Sequence, residues 1–307
     1  MTPTVNRLSR TFATSICLAA LATSAFAEGP RRAPQKIAVA ADENGPERID
    51  YSGKLQMLSQ RAAAAACNKA AGIGGWEAEG YLQASVGEFD RIMNALEHGD
   101  AFISIKAPER DRRVLRSINA TNEHWSVVRA EMNKMVAGEA TAEQIRAVTG
   151  SSPEFLDLIQ RMVAEIVGEY ADPATLLASD AVTLDMVGRE RTMPQVISKW
   201  ACMLSEGIDE EVAESGLSEA IAHYDLALDA LRNGMPEAGV SPPPNQAIGE
   251  HLAEIDARWQ AVRPMVVDLK AEALSAEDRA KVFQEMNALS FMMNEVSRLY
   301  AVASKQS

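Results

Sequence analysis

The chain has 307 residues and a formal net charge of −13, with 43 acidic side chains against 30 basic ones. This balance argues against partners such as nucleic acid or an anionic membrane surface, because both require a basic face. An anionic ligand would have to be held by a local group of Arg or Lys side chains against the field of the whole chain.

The N-terminus has the parts of a cleavable export signal. Arg7 and Arg10 precede a short apolar run, and residues 25–27 read Ala-Phe-Ala, which is a small-x-small cleavage pattern. We predict that residues 1–27 are removed after Ala27 and that the mature protein lies in the periplasm. Loss of Arg7 and Arg10, with no acid removed, changes the net charge from −13 to −15. No later apolar stretch has the roughly 20 residues that a membrane span needs, so we expect no stable membrane insertion.

The remaining chain contains one pattern twice. Residues 49–60 correspond to residues 184–195, and the same offset of 135 positions relates Cys67 to Cys202. A unit of this length indicates a duplicated domain rather than a short solenoid repeat. Residues 28–45, which are polar and contain prolines, are predicted to be a linker. The predicted repeats are residues 46–173 and 177–304.

Both repeats have the composition of helical proteins. Ala, Leu, Met and Glu are frequent, and apolar residues follow a 3.6-residue period without the alternation that strands show. We predict an all-α fold of two tandem four-helix up-and-down bundles, arranged as an intrachain pseudo-dimer. The predicted helices are about 46–73, 76–98, 108–137 and 152–170, then about 177–207, 211–233, 245–272 and 276–303.

The first helix of each repeat carries two stripes of side chains. One is an apolar seam typical of a bundle core, which Glu190 interrupts in the second repeat. The other combines small residues, amides, an arginine and the cysteines in both repeats. Its members are Ile49, Gly53, Gln56, Gln60, Ala63 and Cys67, matched by Leu184, Gly188, Arg191, Gln195, Ser198 and Cys202.

Two interpretations of the second stripe are open. It could be a polar outer face whose similarity is accidental. Alternatively, the two first helices face each other in parallel across a local pseudo-twofold axis, with Gly53 and Gly188 allowing close inter-repeat packing and polar groups around a small cavity. The pairs expected to meet are then Gln56 with Arg191, Gln60 with Gln195, and Cys67 with Cys202.

The two cysteines of the mature chain also allow two interpretations. In an oxidising compartment an even pair at equivalent positions favours a disulfide. Otherwise Cys67 and Cys202 would be two small buried apolar side chains.

The start of the first helix resembles a known sensor family. Residues 49–61 read Ile-Asp-Tyr-Ser-Gly-Lys-Leu-Gln-Met-Leu-Ser-Gln-Arg. This is similar to Ile-Asn-x-Ala-Gly-x-x-Arg-Met-x-Ser-Gln-Arg, the signature of the N-terminal domain of type IV pilus methyl-accepting chemotaxis transducers, a group that includes the periplasmic domain of nitrate/nitrite sensor kinases. The resemblance implies a four-helix sensor bundle. It also implies an anion held at the junction of two first helices by one signature arginine from each.

This chain departs from the signature at the anion site. The signature arginine corresponds to Gln56 in the first repeat and to Arg191 in the second, so one charge is lost although the amide keeps its donors. Lys54 and Arg189 lie nearby and could compensate, or could point into solvent. Pro194 replaces the signature serine, and we expect it to kink the helix beside Arg191.

No sequence pattern for metal, haem or phosphate binding or for nucleophilic catalysis is found, so we expect no cofactor and no enzymatic activity. Because the chain ends just past the last predicted helix, we expect it to act without a signalling domain of its own. One hypothesis is a soluble periplasmic sensor that binds a small ligand, such as the oxyanions nitrate and nitrite. The ligand-binding residues would be Arg191, Gln56, Gln60, Gln195, Lys54 and Arg189. The alternative is a ligand-free accessory subunit that contacts a membrane-bound receptor, a sensor kinase or a pilus-linked system.

Overall fold

Helices account for nearly all of the chain that the computed structural model describes, which is residues 44–137, 141–171, 178–267, 269 and 274–304. Over these residues the only β pairing is two isolated bridges, so the predicted all-α class is confirmed. The helices are α1 (Gly45–Ala70), α2 (Gly75–His98), α3 (Arg112–Val136), α4 (Ala142–Gly150), α5 (Ser152–Tyr170), α6 (Ala178–Glu190), α7 (Met193–Ser205), α8 (Glu210–Asn233), α9 (Gln246–Val267) and α10 (Ala276–Ala303), with short 3-10 helices at Ala101–Ile103 and Pro236–Ala238.

Each repeat packs its helices as a bundle. In the first repeat α1 contacts α2 and α5, and α3 contacts the same two helices from the other side. In the second repeat α6 and α7 together take the place of α1, with α8, α9 and α10 as the other three members. The repeats meet mainly through α1 and α7. The predicted intrachain pair of first helices is therefore present.

The duplicated sequence forms the same contacts twice. In the first repeat the indole Nε1 of Trp125 donates to Asp90 Oδ1 at 2.7 Å, and Arg129 also binds that carboxylate. In the second repeat Trp259 and Arg263 bind Asp225 in the same way, again with 2.7 Å from the indole nitrogen. Each aspartate therefore joins the third helix of its bundle to the second. A buried indole N–H needs such a partner, which explains why both repeats keep the pair.

The structure differs from the predicted helices at two places. Helix α4 was not predicted, although Thr141 and Gln144 form a capping box at its start. The single helix predicted at 177–207 is wrong, because the chain turns at residues 191–192 between α6 and α7. Pro194 lies in the first turn of α7, where a missing backbone N–H costs little, so the proline marks a new helix rather than a kink inside one.

The predicted export signal (1–27) and almost all of the predicted linker (28–45) lie outside the described residues. None of the helices in the described part of the chain is long and apolar enough to cross a membrane.

Candidate functional site at the junction of the repeats

Alanines and a disulfide bring the first helices together. Residues 62–66 of α1 are all alanine and are almost completely buried, so the backbone of α1 can approach its neighbours closely. The next residue, Cys67, is bonded to Cys202 of α7, with 6.2 Å between their Cα atoms. The cysteines, which occupy equivalent positions in the two repeats, fix the register of α1 against α7.

Arg191 lies at the turn between α6 and α7 and reaches across to α1. Its Nη1 lies 3.4 Å from Asp50 Oδ1, and its Nη2 donates to the backbone oxygen of Asp50 at 3.2 Å. Nη1 also donates to Asn294 Oδ1 of α10 at 3.3 Å. The guanidinium therefore joins the first repeat to the second.

The environment of Arg191 is dry and crowded. Its side chain is only 4% exposed, burial lowers its pKa, and the Asp50 carboxylate partly opposes that shift. Its Nε has no hydrogen-bond partner among the described residues. A Cβ atom at Gly53 would lie 2.5 Å from Nη2, so the glycine gives the guanidinium its space on α1.

The amides of Gln60 and Gln195 in the second stripe do not bind each other, and each has a partner in its own repeat. Gln195 Nε2 donates to Asn287 Oδ1 of α10 at 3.2 Å, and its Oε1 is buried without a hydrogen-bond partner among the described residues. Gln60 Oε1 accepts from the hydroxyl of Ser152, at the start of α5, at 2.9 Å. The expected hydrogen bond between Gln60 and Gln195 is therefore not among the bonds of the described residues. Gln56 is buried, but the hydrogen bonds of Arg191 go to Asp50 and Asn294 and not to Gln56.

The cross-repeat partner of Gln60 is Lys199, which sequence analysis missed. Its Nζ donates to Gln60 Oε1 at 3.2 Å and to Ser152 Oγ at 3.0 Å, and lies 3.9 Å from the centre of the Trp200 ring. Burial lowers the pKa of Lys199 to about 7. The available signal was that Lys199 is the single charged residue of α7, and that its counterpart in the first repeat is Ala64.

Three expected members of the site do not take the roles that the sequence analysis gave them. Lys54 pairs with Glu88 of α2 at 2.5 Å, and Arg189 pairs with Asp185 of its own helix at 2.8 Å. Of the two alternatives for these side chains, the contacts do not favour compensation beside Arg191, because other carboxylates already bind both. A Cβ atom at Gly188 would meet nothing within 4 Å, so close packing requires Gly53 but not Gly188.

The junction is filled rather than hollow near the disulfide. A cavity of about 10 Å³ lies beside Cys202 and is bordered by Asn68, Ser198 and Arg279. This volume suffices for about one water molecule. Among the described residues, no group of three His, Cys, Asp or Glu side chains is placed to hold a metal ion.

The chain is a duplicated all-α bundle with a buried arginine between its halves. The family of type IV pili methyl-accepting chemotaxis transducer N-terminal domains matches residues 37–150 and again residues 175–288, and the chain belongs to this family. The tandem copies predicted from the sequence are thereby confirmed, while the exact repeat boundaries stay predictions. The family is one of transducer input domains, not a catalytic family. No curated protein matches the chain.

Proposed function

We propose that the chain is a periplasmic input module of a chemoreceptor-type system, in which one polypeptide supplies both halves of a paired sensor domain. Its family membership supports a role in signal input. Export is supported by the pattern of residues 1–27 and by the disulfide between Cys67 and Cys202, because disulfides persist in oxidising compartments. We propose no catalytic role and no cofactor.

The observation that carries the mode of action is the contact of Arg191 with Asp50. A carboxylate is the same kind of partner for a guanidinium as an oxyanion is, since both offer paired acceptor oxygens. The chain thus supplies its own counter-charge at the junction. The two halves need no bound ligand to stay together, which favours a module that acts through its outer helix faces on a membrane-bound receptor, a sensor kinase or a pilus-linked protein.

Affinity purification tests this role. The tagged mature chain should co-purify a chemoreceptor, a sensor kinase or a pilus-linked component from solubilised cell envelopes. Only a signalling component counts as support, and a Cys67→Ala/Cys202→Ala variant tests whether capture depends on the register of the two halves. Repeated capture of no such component would contradict the proposal.

A small oxyanion ligand is the second candidate, and the exposure of Asp50 favours it. The Asp50 side chain is 67% exposed, whereas that of Arg191 is 4% exposed. An exposed carboxylate is held weakly and can be displaced. An incoming anion could then take the place of Asp50 and also use the unpaired Nε of Arg191. Gln56 and Gln60 on α1 and Gln195 on α7 would be the polar residues farther along the junction.

Calorimetric titration with nitrate and with nitrite separates the two candidates. If Asp50 is the permanent partner of Arg191, we expect no binding heat from the wild type at millimolar anion. For the oxyanion sensor, the wild type would bind, Arg191→Ala would not, and Asp50→Asn would bind more tightly because its competing charge is gone. Arg189→Gln is the matched control, since Arg189 is exposed in the last turn of α6, two residues before Arg191, and pairs with Asp185.

A further inference from the structure

One end of the first repeat has a local charge opposite to that of the whole chain. Exposed basic side chains cluster between the 3-10 turn after α2 and the second turn of α3. They are Lys106, Arg110, Arg112 and Arg116, and none forms an ion pair within the described part of the chain. Their chain positions keep them within a few turns of one another, in a protein whose net charge is −13.

The acidic side chains of this segment are already engaged. Glu109 is buried, where it lies 3.3 Å from Arg48 and accepts from the hydroxyl of Tyr170 at 2.7 Å. Asp111 caps α3 by accepting from two backbone N–H groups. Asp100 pairs with Arg91 at 3.0 Å. Glu169 of α5, which packs beside this segment, pairs with Arg113 at 3.1 Å. Residues 100–116 contain five basic side chains against three acidic ones, so this segment presents a positive charge to solvent.

Phe102 projects from the same end. It is 93% exposed and lies in the middle of the 3-10 turn at Ala101–Ile103. The turn is held by the Asp100–Ile105 bridge and by the N–H of Phe102 itself, which donates to Asp100 Oδ1 at 2.8 Å. A single exposed aromatic is common on proteins, but here an ordered turn displays one next to four unpaired cations.

The second repeat shows that the fold does not require these side chains. Its equivalent turn has the same bridge, between Met235 and Val240, and the same 3-10 helix. Glu237 stands at the position of Phe102, and the segment from there to α9 contains no Lys or Arg. Because the backbone is the same without them, the aromatic and basic side chains of the first repeat need a reason other than folding.

We propose that this end of the first repeat docks on the surface of an anionic lipid bilayer. The four basic side chains would bind headgroup phosphates, and Phe102 would enter the interface between headgroups and acyl chains. The rest of the acidic chain opposes contact only weakly, because the Debye length at physiological salt is about 8 Å and more distant charges are screened. This is peripheral contact, not insertion, and it is independent of the proposed signalling role.

Vesicle co-sedimentation of the full mature chain tests the proposal. Vesicles of 30% phosphatidylglycerol in phosphatidylcholine should bind the chain in 0.1 M salt, and vesicles of phosphatidylcholine alone should not. Each basic residue near a surface contributes about fivefold to partitioning. The Arg110→Gln/Arg112→Gln variant should therefore bind about 25-fold more weakly, and Phe102→Ser about tenfold more weakly.

Matched control variants remove side chains of the same types from other parts of the surface. Arg161→Gln/Lys281→Gln removes two exposed cations from α5 and α10, and Phe291→Ser removes an aromatic that is 75% exposed on α10. Both should keep wild-type binding, and thermal unfolding checks that every variant is folded. The proposal is overturned if the phosphatidylglycerol vesicles fail to bind the chain, if both vesicle types bind it equally, or if the control variants lose as much binding as the test variants. Absence of binding would point to an acidic protein as the partner of this end.

Discussion

Lys199 is a buried amine whose contacts are all neutral. The groups that face it are the amide of Gln60, the hydroxyl of Ser152 and the ring of Trp200. Burial lowers its pKa from 10.5 to about 7 in the folded protein. Between these two pKa values the unfolded chain binds one more proton than the folded chain. The free energy of unfolding should therefore increase with pH through this window.

We predict that the free energy of unfolding in urea rises by a few kcal/mol between pH 6.5 and pH 9.5, and that Lys199→Met abolishes most of this rise. The window ends at pH 9.5 because burial raises the pKa of Tyr224 and Tyr300, which produces the opposite trend at higher pH. Lys281→Met, at an exposed position of α10, should leave the pH dependence unchanged. If the free energy of unfolding of Lys199→Met rises with pH as steeply as that of the wild type, another group is responsible for the pH dependence.

The residues of the junction were only partly predictable from the sequence. Aligning the repeats was sufficient to mark the cysteines, which coincide in the two copies, and Arg191, whose residue type differs from that of its counterpart Gln56. It could not identify Asp50 or Lys199 as cross-repeat partners, since these contacts depend on how far a long side chain reaches along the neighbouring helix. Glu190 shows the same limit. It interrupts an apolar seam, and its partner His223, at 2.9 Å, is known only once α8 is placed.

At the scale of elements, the turn after the second helix offers an internal comparison. Ser104 has φ 62° in the first repeat, and Gly239 has φ 74° at the equivalent position of the second. A side chain in this left-handed conformation costs about 1 kcal/mol, whereas glycine adopts it freely. The first repeat therefore carries a small backbone strain that the second avoids.

Exchanging these two residues should shift stability in opposite directions. Ser104→Gly should raise the free energy of unfolding by about 0.5–1 kcal/mol, and Gly239→Ser should lower it by a similar amount. A serine fits sterically at residue 239, because the nearest atom to its Cβ, in Val182, is 3.8 Å away. Urea unfolding of the two single variants measures both effects. If both variants change stability in the same direction, side-chain contacts rather than backbone conformation determine the stability at this turn.

The helices were more predictable than their interruptions. Helical periodicity and Gly or Pro punctuation placed most helices to within a few residues, because both signals are local. Helix α4 was missed although its capping box is a local signal, since its nine residues were too few to show a clear apolar stripe. The interruption at residues 191–192 was anticipated only as a kink, because the sequence does not say whether a proline bends a helix or starts a new one.

On the scale of the whole molecule, two copies of one family domain pack together within one chain. Two separate subunits would pay the entropy of association at every encounter, whereas a covalent link makes the contact intramolecular. The link alone does not set the register of α1 against α7. The disulfide does, since it joins equivalent positions that are 135 residues apart.

Removing the disulfide should therefore be the most destabilising change at the junction. A disulfide that closes a loop of 135 residues reduces the entropy of the unfolded chain enough to stabilise the fold by about 5 kcal/mol. Removing a native disulfide usually lowers the free energy of unfolding by about 2–5 kcal/mol. We predict a decrease in that range for Cys67→Ala/Cys202→Ala, measured by urea unfolding. Alanine suits these positions because both cysteines are buried and five alanines precede Cys67.

Thiol labelling checks the bond itself. The native mature protein without reductant should label no cysteine, and the reduced, unfolded protein should label two. The Arg191–Asp50 contact should weaken once the register is free, so Asp50→Asn should change stability less in the disulfide-free variant than in the wild type. Equal effects of Asp50→Asn in both backgrounds would mean that the cross-repeat ion pair is held in place by helix packing without help from the disulfide.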